Sequence, residues 1–279
     1  MIAEGVKNNP NAELVLMEKH GLVTWGETAK ESYDQTIAVI REAEAYIKSR
    51  SEEHQPFGGQ MVEPLAPEER KRILADILPI IRGAVSGEKR MLLTWCDADD
   101  VLEFTNSRRA PSLSQVGAAC PDHLVHTKRT PAYIPWNPAE QDKEKLVERI
   151  KTEIARFKES YAAYFQRNRR EGDEMFEPAP RVMLIPGIGM VAAGKSLAMA
   201  KVSRDLYRRA IAVMKGTEVL GNFVSLNEEE SYNVEYWPLE LYKLTLAPPE
   251  AEFSRKIAFV TGGALSLIHI SEPTRQAEI

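Results

Sequence analysis

The stretch that decides the fold is Arg181-Val-Met-Leu-Ile-Pro-Gly-Ile-Gly189-Met-Val-Ala-Ala-Gly194-Lys195-Ser196. Its apolar run predicts a buried strand, and the residues after Ser196 predict a helix. Residues 189–196 also satisfy GxxxxGK[ST], the phosphate-binding loop of many nucleotide-binding proteins, in the strand-to-helix context that this motif needs. Alternation of strand and helix around this point predicts an α/β fold.

Regular patterns on the N-terminal side of this stretch extend the α/β prediction. They predict a helix over 68–82, a strand over 91–94, a helix over 98–106, and a long helix with Asn137 as N-cap and Pro138 in its first turn. Apolar residues of the long helix recur every three or four positions as far as Tyr161 and Tyr164, which is typical of core packing. On the C-terminal side, the aromatic stretch 232–246 is interpreted as packing or an interdomain interface.

A similar strand, turn and helix is predicted over residues 13–48. The strand over 14–17 looks buried and therefore needs sheet neighbours. His20 follows it directly, and Gly21 allows the backbone to turn sharply, so that the imidazole could point into a cleft. From the residues alone, a structural role for this histidine is favoured over metal binding.

An internal comparison links the two strand–turn–helix segments. When Gly21 is aligned with Gly189, the residues Leu16, Val23 and Gly26 fall on Leu184, Val191 and Gly194. Further along, an offset of 174 places Tyr33 on Tyr207, with the extra six residues at the helix start. The comparison predicts that the middle region is a diverged second copy of the first fold, with Ile188 at the place of His20. It weakens the nucleotide-binding hypothesis, in which Lys195 would contact phosphates.

Composition excludes several classes of partner. The chain has 279 residues, a net charge of −5 and a pI near 5.7, which argue against binding to nucleic acid or an anionic membrane. No apolar run has the length of a membrane span, and the N-terminus has no signal-peptide pattern. Two cysteines outside any CxxC pattern suit a reducing compartment, so we expect a cytoplasmic protein.

A second candidate site lies in Cys120-Pro-Asp-His-Leu-Val-His-Thr-Lys128-Arg129. The His-x-x-His spacing brings His123 and His126 together only on a helix, whereas the flanking prolines predict a loop or strand. A structural role is therefore favoured over metal binding, although a degenerate metal site stays open. Lys128 and Arg129 could instead contact the phosphate of a substrate.

The C-terminal region predicts a short buried strand over 256–260, followed by a glycine turn with Thr261, Gly262 and Gly263. These residues resemble the opening of a short-chain dehydrogenase, in which they would contact the cofactor NAD. Residues 265–279 look like the translation of a sequencing adapter, so we exclude them from the fold prediction.

Taken together, residues 1–264 resemble bifunctional class II aldolase/short-chain dehydrogenases of the rhamnulose-1-phosphate aldolase/lactaldehyde dehydrogenase type. The strings that carry the resemblance are 18–26, 120–128, 186–190, 236–243 and 260–263. The resemblance implies zinc-dependent cleavage of a ketose 1-phosphate to dihydroxyacetone phosphate and lactaldehyde, and oxidation of the aldehyde with NAD. His20 would be one zinc ligand, and the remaining ligands and the acid/base residue would precede Met1.

The resemblance also predicts the domain organisation. We expect the C-terminal part of a three-layer αβα aldolase domain (1–50), a linker (51–68), a middle α/β domain (69–247), the first strand of a Rossmann dehydrogenase domain (248–264) and the adapter-derived tail (265–279). Such a fragment would be inactive, and the resemblance suggests a homo-oligomer for the whole protein. Two alternatives stay open for the middle domain: nucleotide binding through residues 189–196, or a non-catalytic scaffold that joins two enzymes.

Overall fold

The computed structural model describes residues 2–18, 20–51, 54–246, 249–259 and 261. Its helices are α1 (Ile2–Asn8), α2 (Ala29–Ser51), α3 (Pro67–Val85), α4 (Asp99–Thr105), α5 (Ala110–Leu113), α6 (Pro121–Thr127), α7 (Lys143–Asn168), α8 (Leu197–Glu218), α9 (Glu228–Glu235) and α10 (Pro238–Thr245). Its strands are β1 (Leu14–Met17), β2 (Gly21–Thr24), β3 (Leu92–Cys96), β4 (Ala132–Tyr133), β5 (Val182–Ile185) and β6 (Gly189–Gly194). None of the described helices is long and apolar enough to cross a membrane.

A four-stranded sheet in the order β3-β6-β5-β4 forms the centre of the larger domain. Strand β6 pairs antiparallel with both β3 and β5, while β4 runs parallel to β5. Both β5 and β6 are buried over their whole lengths. Successive residues of β5 face opposite sides of the sheet: Met183 packs with α3 and α7, and Leu184 packs with α4 and α8. Helices therefore cover both faces, and the predicted α/β class is confirmed.

The segment with the GxxxxGK[ST] pattern is a strand rather than a loop. Its residues Gly189–Gly194 pair with β3 on one side and with β5 on the other. A phosphate-binding loop needs several free N–H groups curved around one anion, and a strand paired on both edges cannot supply them. The nucleotide-binding hypothesis for residues 189–196 is therefore wrong. Lys195 lies exposed between β6 and α8.

Helix α7 begins later than predicted. The side chain of Asp142 accepts a hydrogen bond from the Lys145 N–H at 2.8 Å and caps the helix. Asn137 instead caps a short turn, in which its Oδ1 accepts from the Ala139 N–H at 3.1 Å. Both residue types are good caps, so local sequence did not decide between the two starts. The predicted helices over 68–82 and 98–106 and the strand over 91–94 are found as α3, α4 and β3.

The His-x-x-His segment forms helix α6, and the prediction of a loop or strand was wrong. Pro121 lies in the first turn of α6, where its missing N–H costs no helical hydrogen bond. Pro131 lies beyond the end of the helix and does not interrupt it. The two prolines thus bracket α6 instead of preventing it.

The N-terminal segment forms an antiparallel hairpin, β1–β2, followed by α2. Strand β1 was predicted to be buried, but it pairs only with β2 among the described residues, and Leu16 is 72% exposed. No residue of α2 is buried. Near its C-terminal end, Ile47 lies close to Gly216 of α8.

The segment predicted as a linker packs on the larger domain. Phe57 and Val62 are buried, and Gln60 forms an isolated antiparallel bridge with Ser107. The packing interpretation of the aromatic stretch holds for Tyr232 and Tyr236, whose rings stack with centroids 4.4 Å apart.

The predicted strand over 256–260 is not found in residues 256–259, and Val260 lies outside the described residues. A buried strand requires neighbours for its backbone and side chains, but Ile257 and Phe259 are 75% and 93% exposed. The dehydrogenase resemblance of this region stays a prediction. Gly262, Gly263 and the tail 265–279 also lie outside the described residues.

Candidate functional site

Lys128 follows the last turn of α6 in an unusual backbone conformation, with φ 62° and ψ 179°. Such a conformation costs a residue with a side chain about 1–3 kcal/mol. Two hydrogen bonds hold it: the Lys128 N–H donates to the Leu124 carbonyl at 3.0 Å, and the Thr127 hydroxyl donates to the Lys128 carbonyl at 3.0 Å. The side chain of Lys128 is only 5% exposed.

The ammonium group of Lys128 lies among three tyrosines and one carboxylate, here called the Lys128 cluster: Lys128, Tyr161, Tyr164, Glu235 and Tyr236. Its Nζ is 3.8 Å from Glu235 Oε1 and 3.4 Å from the centroid of the Tyr161 ring. The hydroxyls of Tyr161 and Tyr164 donate to the two oxygens of Glu235 at 2.7 and 3.2 Å. The Tyr161 hydroxyl also lies 2.8 Å from that of Tyr236. The carboxylate is thus held by hydrogen bonds on both oxygens.

Burial lowers the pKa of Lys128 to about 7, against the opposing effect of the Glu235 charge. Burial, followed by the charge of Glu235, raises the pKa of Tyr161 and of Tyr164 above the ordinary range. Consequently Lys128 can exchange a proton near neutral pH, whereas the two tyrosines stay protonated hydrogen-bond donors.

Lys128 borders two cavities. The first, here called the Lys195 cavity, has a volume of about 620 Å³ and is also lined by His126 and Lys195. The second, here called the Arg129 cavity, has a volume of about 730 Å³ and is also lined by Arg129. Three other candidates found in the sequence therefore lie around Lys128, with His126 and Lys195 on one side and Arg129 on the other.

The remaining candidates that the structure describes, His20, His123 and Thr261, line neither cavity. His20 is exposed in the turn between β1 and β2, where its N–H donates to the Met17 carbonyl. His123 is buried within α6, and Thr261 is exposed.

The described residues do not fit a zinc site by themselves. They contain no group of three or more His, Cys, Asp or Glu side chains placed to hold a metal ion, whereas a catalytic zinc site needs about three protein ligands. His20, His123 and His126 thus remain candidate ligands without a completed site among the described residues.

Sequence reasoning missed most of the Lys128 cluster. Glu235 lies more than 100 residues after Lys128, and no local pattern links them. Tyr161 and Tyr164 were assigned to the core stripe of a helix, which is correct for their rings but ignores their hydroxyls. Buried tyrosines usually have a hydrogen-bond partner, so two tyrosines in one stripe were the available signal for a buried polar group.

Comparisons with known proteins agree with this architecture. A family model described as "Aldolase class II, second domain" matches residues 72–244, and one described as "Class II Aldolase and Adducin N-terminal domain" matches residues 1–47. A Bacillus subtilis (strain 168) protein called "Uncharacterized oxidoreductase YuxG" is 67% identical over 264 residues, which are 95% of this chain and 38% of that relative. No solved structure gives a significant match. Since the second-domain model covers more than half of the 279 residues, the chain belongs to the class II aldolase family.

Proposed function

We propose that this chain is part of a two-enzyme polypeptide. Its aldolase would cleave rhamnulose 1-phosphate, and its short-chain dehydrogenase would oxidise the resulting lactaldehyde with NAD. One observation carries the proposal: a chain of the class II aldolase family is 67% identical to a protein named as an oxidoreductase and spans only 38% of it. The glycine turn that begins at Thr261 supports a dehydrogenase after the aldolase domains.

The cofactors would be zinc and NAD. Zinc in a class II aldolase would stabilise the negative charge left on the ketose when the carbon–carbon bond breaks. We propose His20 as one of its ligands, because the side chain is exposed in the β1–β2 turn and accessible to further ligands. Fusion of the two enzymes would keep the reactive aldehyde near the domain that consumes it.

The Lys195 cavity is the proposed contact for the sugar phosphate. Lys195 directly precedes Ser196, the N-cap of the 22-residue helix α8, whose first N–H groups favour an anion. Lys128 borders the same cavity and is a second positive group when protonated. Cytoplasmic location and a homo-oligomer remain predictions that accompany this function.

The test uses the full-length polypeptide that contains this chain. Rhamnulose 1-phosphate and NAD are supplied together, and NADH formation is followed by absorbance without any added dehydrogenase. We expect NADH to form. Pretreatment of the enzyme with a zinc chelator should abolish NADH formation from rhamnulose 1-phosphate, and direct addition of lactaldehyde should restore it. Oxidation of lactaldehyde without any cleavage of the sugar phosphate would overturn the aldolase half of the proposal, and the absence of both reactions would overturn all of it.

A further inference from the structure

We propose that the Arg129 cavity is a binding site for a small organic oxyanion. Apart from Met61 and Val62, the residues that line it lie in the second aldolase domain. Three buried side-chain atoms without a hydrogen-bond partner among the described residues belong to residues that line it: Arg129 Nε, Tyr133 Oη and Arg149 Nε. Arg129 follows α6, Tyr133 lies on β4 and Arg149 lies on α7. Because buried polar groups normally have partners, three such groups on residues around one cavity favour a polar ligand as the missing partner.

The charges around the cavity point to an anion. Two other arginines on its wall are already neutralised: Arg156 pairs with Glu153 at 2.8 Å, and Arg167 pairs with Glu228 at 2.8 Å. By contrast, no carboxylate of the described residues forms an ion pair with Arg129 or Arg149. Within the part of the chain that the structure describes, Arg129 donates one long hydrogen bond, from Nη2 to the Val116 carbonyl at 3.4 Å. The charges of Arg129 and Arg149 act on Glu228 and Glu148 at longer range, but among the described residues neither guanidinium group is held in a direct ion pair.

The rest of the lining narrows the ligand class. A planar guanidinium group matches the oxygens of a carboxylate or phosphate. Burial raises the pKa of Tyr133 to about 12, so its hydroxyl is protonated at neutral pH and can donate to the same anion. Trp136 and Phe157 supply an apolar wall for the carbon body of the ligand. A volume of about 730 Å³ is typical of cavities that hold small organic molecules.

This inference goes beyond the proposed function, because it concerns a cavity other than the one proposed for the sugar phosphate and involves neither Lys195, His20 nor the dehydrogenase. A failure of either proposal would leave the other standing. It also contradicts the hypothesis that this domain is only a scaffold.

The experiment measures binding to the full 279-residue chain by isothermal titration calorimetry. The probes are inorganic phosphate, glycerol 3-phosphate and lactate, which separate the bare anion, a phosphate ester and a carboxylate. We expect at least one organic probe to bind, and Arg149→Gln to weaken its binding by about ten-fold or more, the usual effect of losing a charge-assisted hydrogen bond. Tyr133→Phe should weaken binding less.

Arg209→Gln is the matched control, because it makes the same chemical change at an exposed position of α8 outside both cavities. It should bind the probe like the unmodified chain. Thermal unfolding without ligand separates binding from a structural role. Since Arg149 forms no ion pair with a described residue, Arg149→Gln should leave the Tm unchanged or raise it. A fall in Tm with Arg149→Gln, equal affinities in all variants, or no binding of any probe would overturn the proposal.

Discussion

The protein contains two hairpin–helix units with the same local geometry, β1–β2–α2 and β5–β6–α8. Their first strands begin at Leu14 and Val182, and their helices begin at Ala29 and Leu197, so corresponding elements are 168 residues apart. The predicted change of offset to 174 at the helix start is not seen.

A glycine allows the following helix to approach the second strand in both units. A Cβ on Gly26 would lie 2.7 Å from Glu31 Cβ and 3.0 Å from the Ser32 nitrogen. A Cβ on Gly194 would meet the Ala200 nitrogen first and would lie 2.7 Å from the carbonyl carbon of Met199. Each glycine thus meets the helix residues five and six positions later. This correspondence supports the hypothesis of a duplicated fold, which remains a proposal.

The units differ in what surrounds them. The second lies in the core of a sheet covered on both faces, and its strands are fully buried. The first pairs only with itself among the described residues, and none of the α2 residues is buried. The comparison indicates that a short local pattern is enough to form a hairpin–helix unit. Neighbouring strands and helices determine how much that unit contributes to stability.

The largest expected effect comes from the aligned pair Leu184 and Leu16. Leu184 is 0% exposed and Leu16 is 72% exposed. Leu184→Ala should lower the free energy of unfolding by about 2–5 kcal/mol, because it leaves a cavity in the core. Leu16→Ala should change it by less than about 0.5 kcal/mol. Urea denaturation of both variants measures the difference, and similar losses would show that the first unit is equally well packed.

A pH dependence of the free energy of unfolding should arise in the second domain, because Lys128 lines the Lys195 cavity beside β6 and α8. The pKa of this lysine is about 7 in the folded protein, below its value of about 10.4 in an unfolded chain. Between these values the unfolded state binds one more proton, so stability rises with pH, whereas below pH 7 the contribution is constant. From pH 7 to 9 the free energy of unfolding should rise by about 2 kcal/mol.

Lys128→Met should remove this rise, and urea denaturation at pH 7, 8 and 9 provides the measurement. Lys195→Met is the control: it removes an exposed lysine beside the same cavity, and the pH dependence should remain. An unchanged slope in Lys128→Met would show that the lysine keeps its ordinary pKa.

A smaller effect should distinguish Gly194 from Gly26. Alanine at 194 would force the backbone of α8 away from β6 in the core, at a cost of about 1–3 kcal/mol. Alanine at 26 would meet Glu31 Cβ and the Ser32 nitrogen at the start of α2, but no residue of α2 is buried, so this helix can shift, and we expect a loss below about 1 kcal/mol. Thermal unfolding monitored by circular dichroism compares the two. Equal losses would contradict the difference in packing between the units.

Several features could be predicted from the sequence because they depend on local pattern. Apolar spacing located α3, β3 and α4, and the α/β class followed from their alternation. The predicted start of α7 was wrong because Asn137 and Asp142 are both acceptable caps, and only the packing of the chain between them selects one. Residues 189–196 satisfied a phosphate-loop pattern, but that pattern does not state whether the backbone is already paired in a sheet.

The candidate site shows the same division. Sequence alone determined the chemistry of Lys128, Arg129 and Lys195, because charge and hydrogen-bonding capacity belong to the residue type. It also determined the acidic composition, which argues against a basic surface for nucleic acid. The tertiary structure decided that Glu235 and Tyr161 surround Lys128 and that Arg149 stays without an ion-pair partner among the described residues. Burial and proximity between distant segments arise only when the helices and strands pack, and these two quantities set the pKa of a group and the free energy of leaving it unpaired.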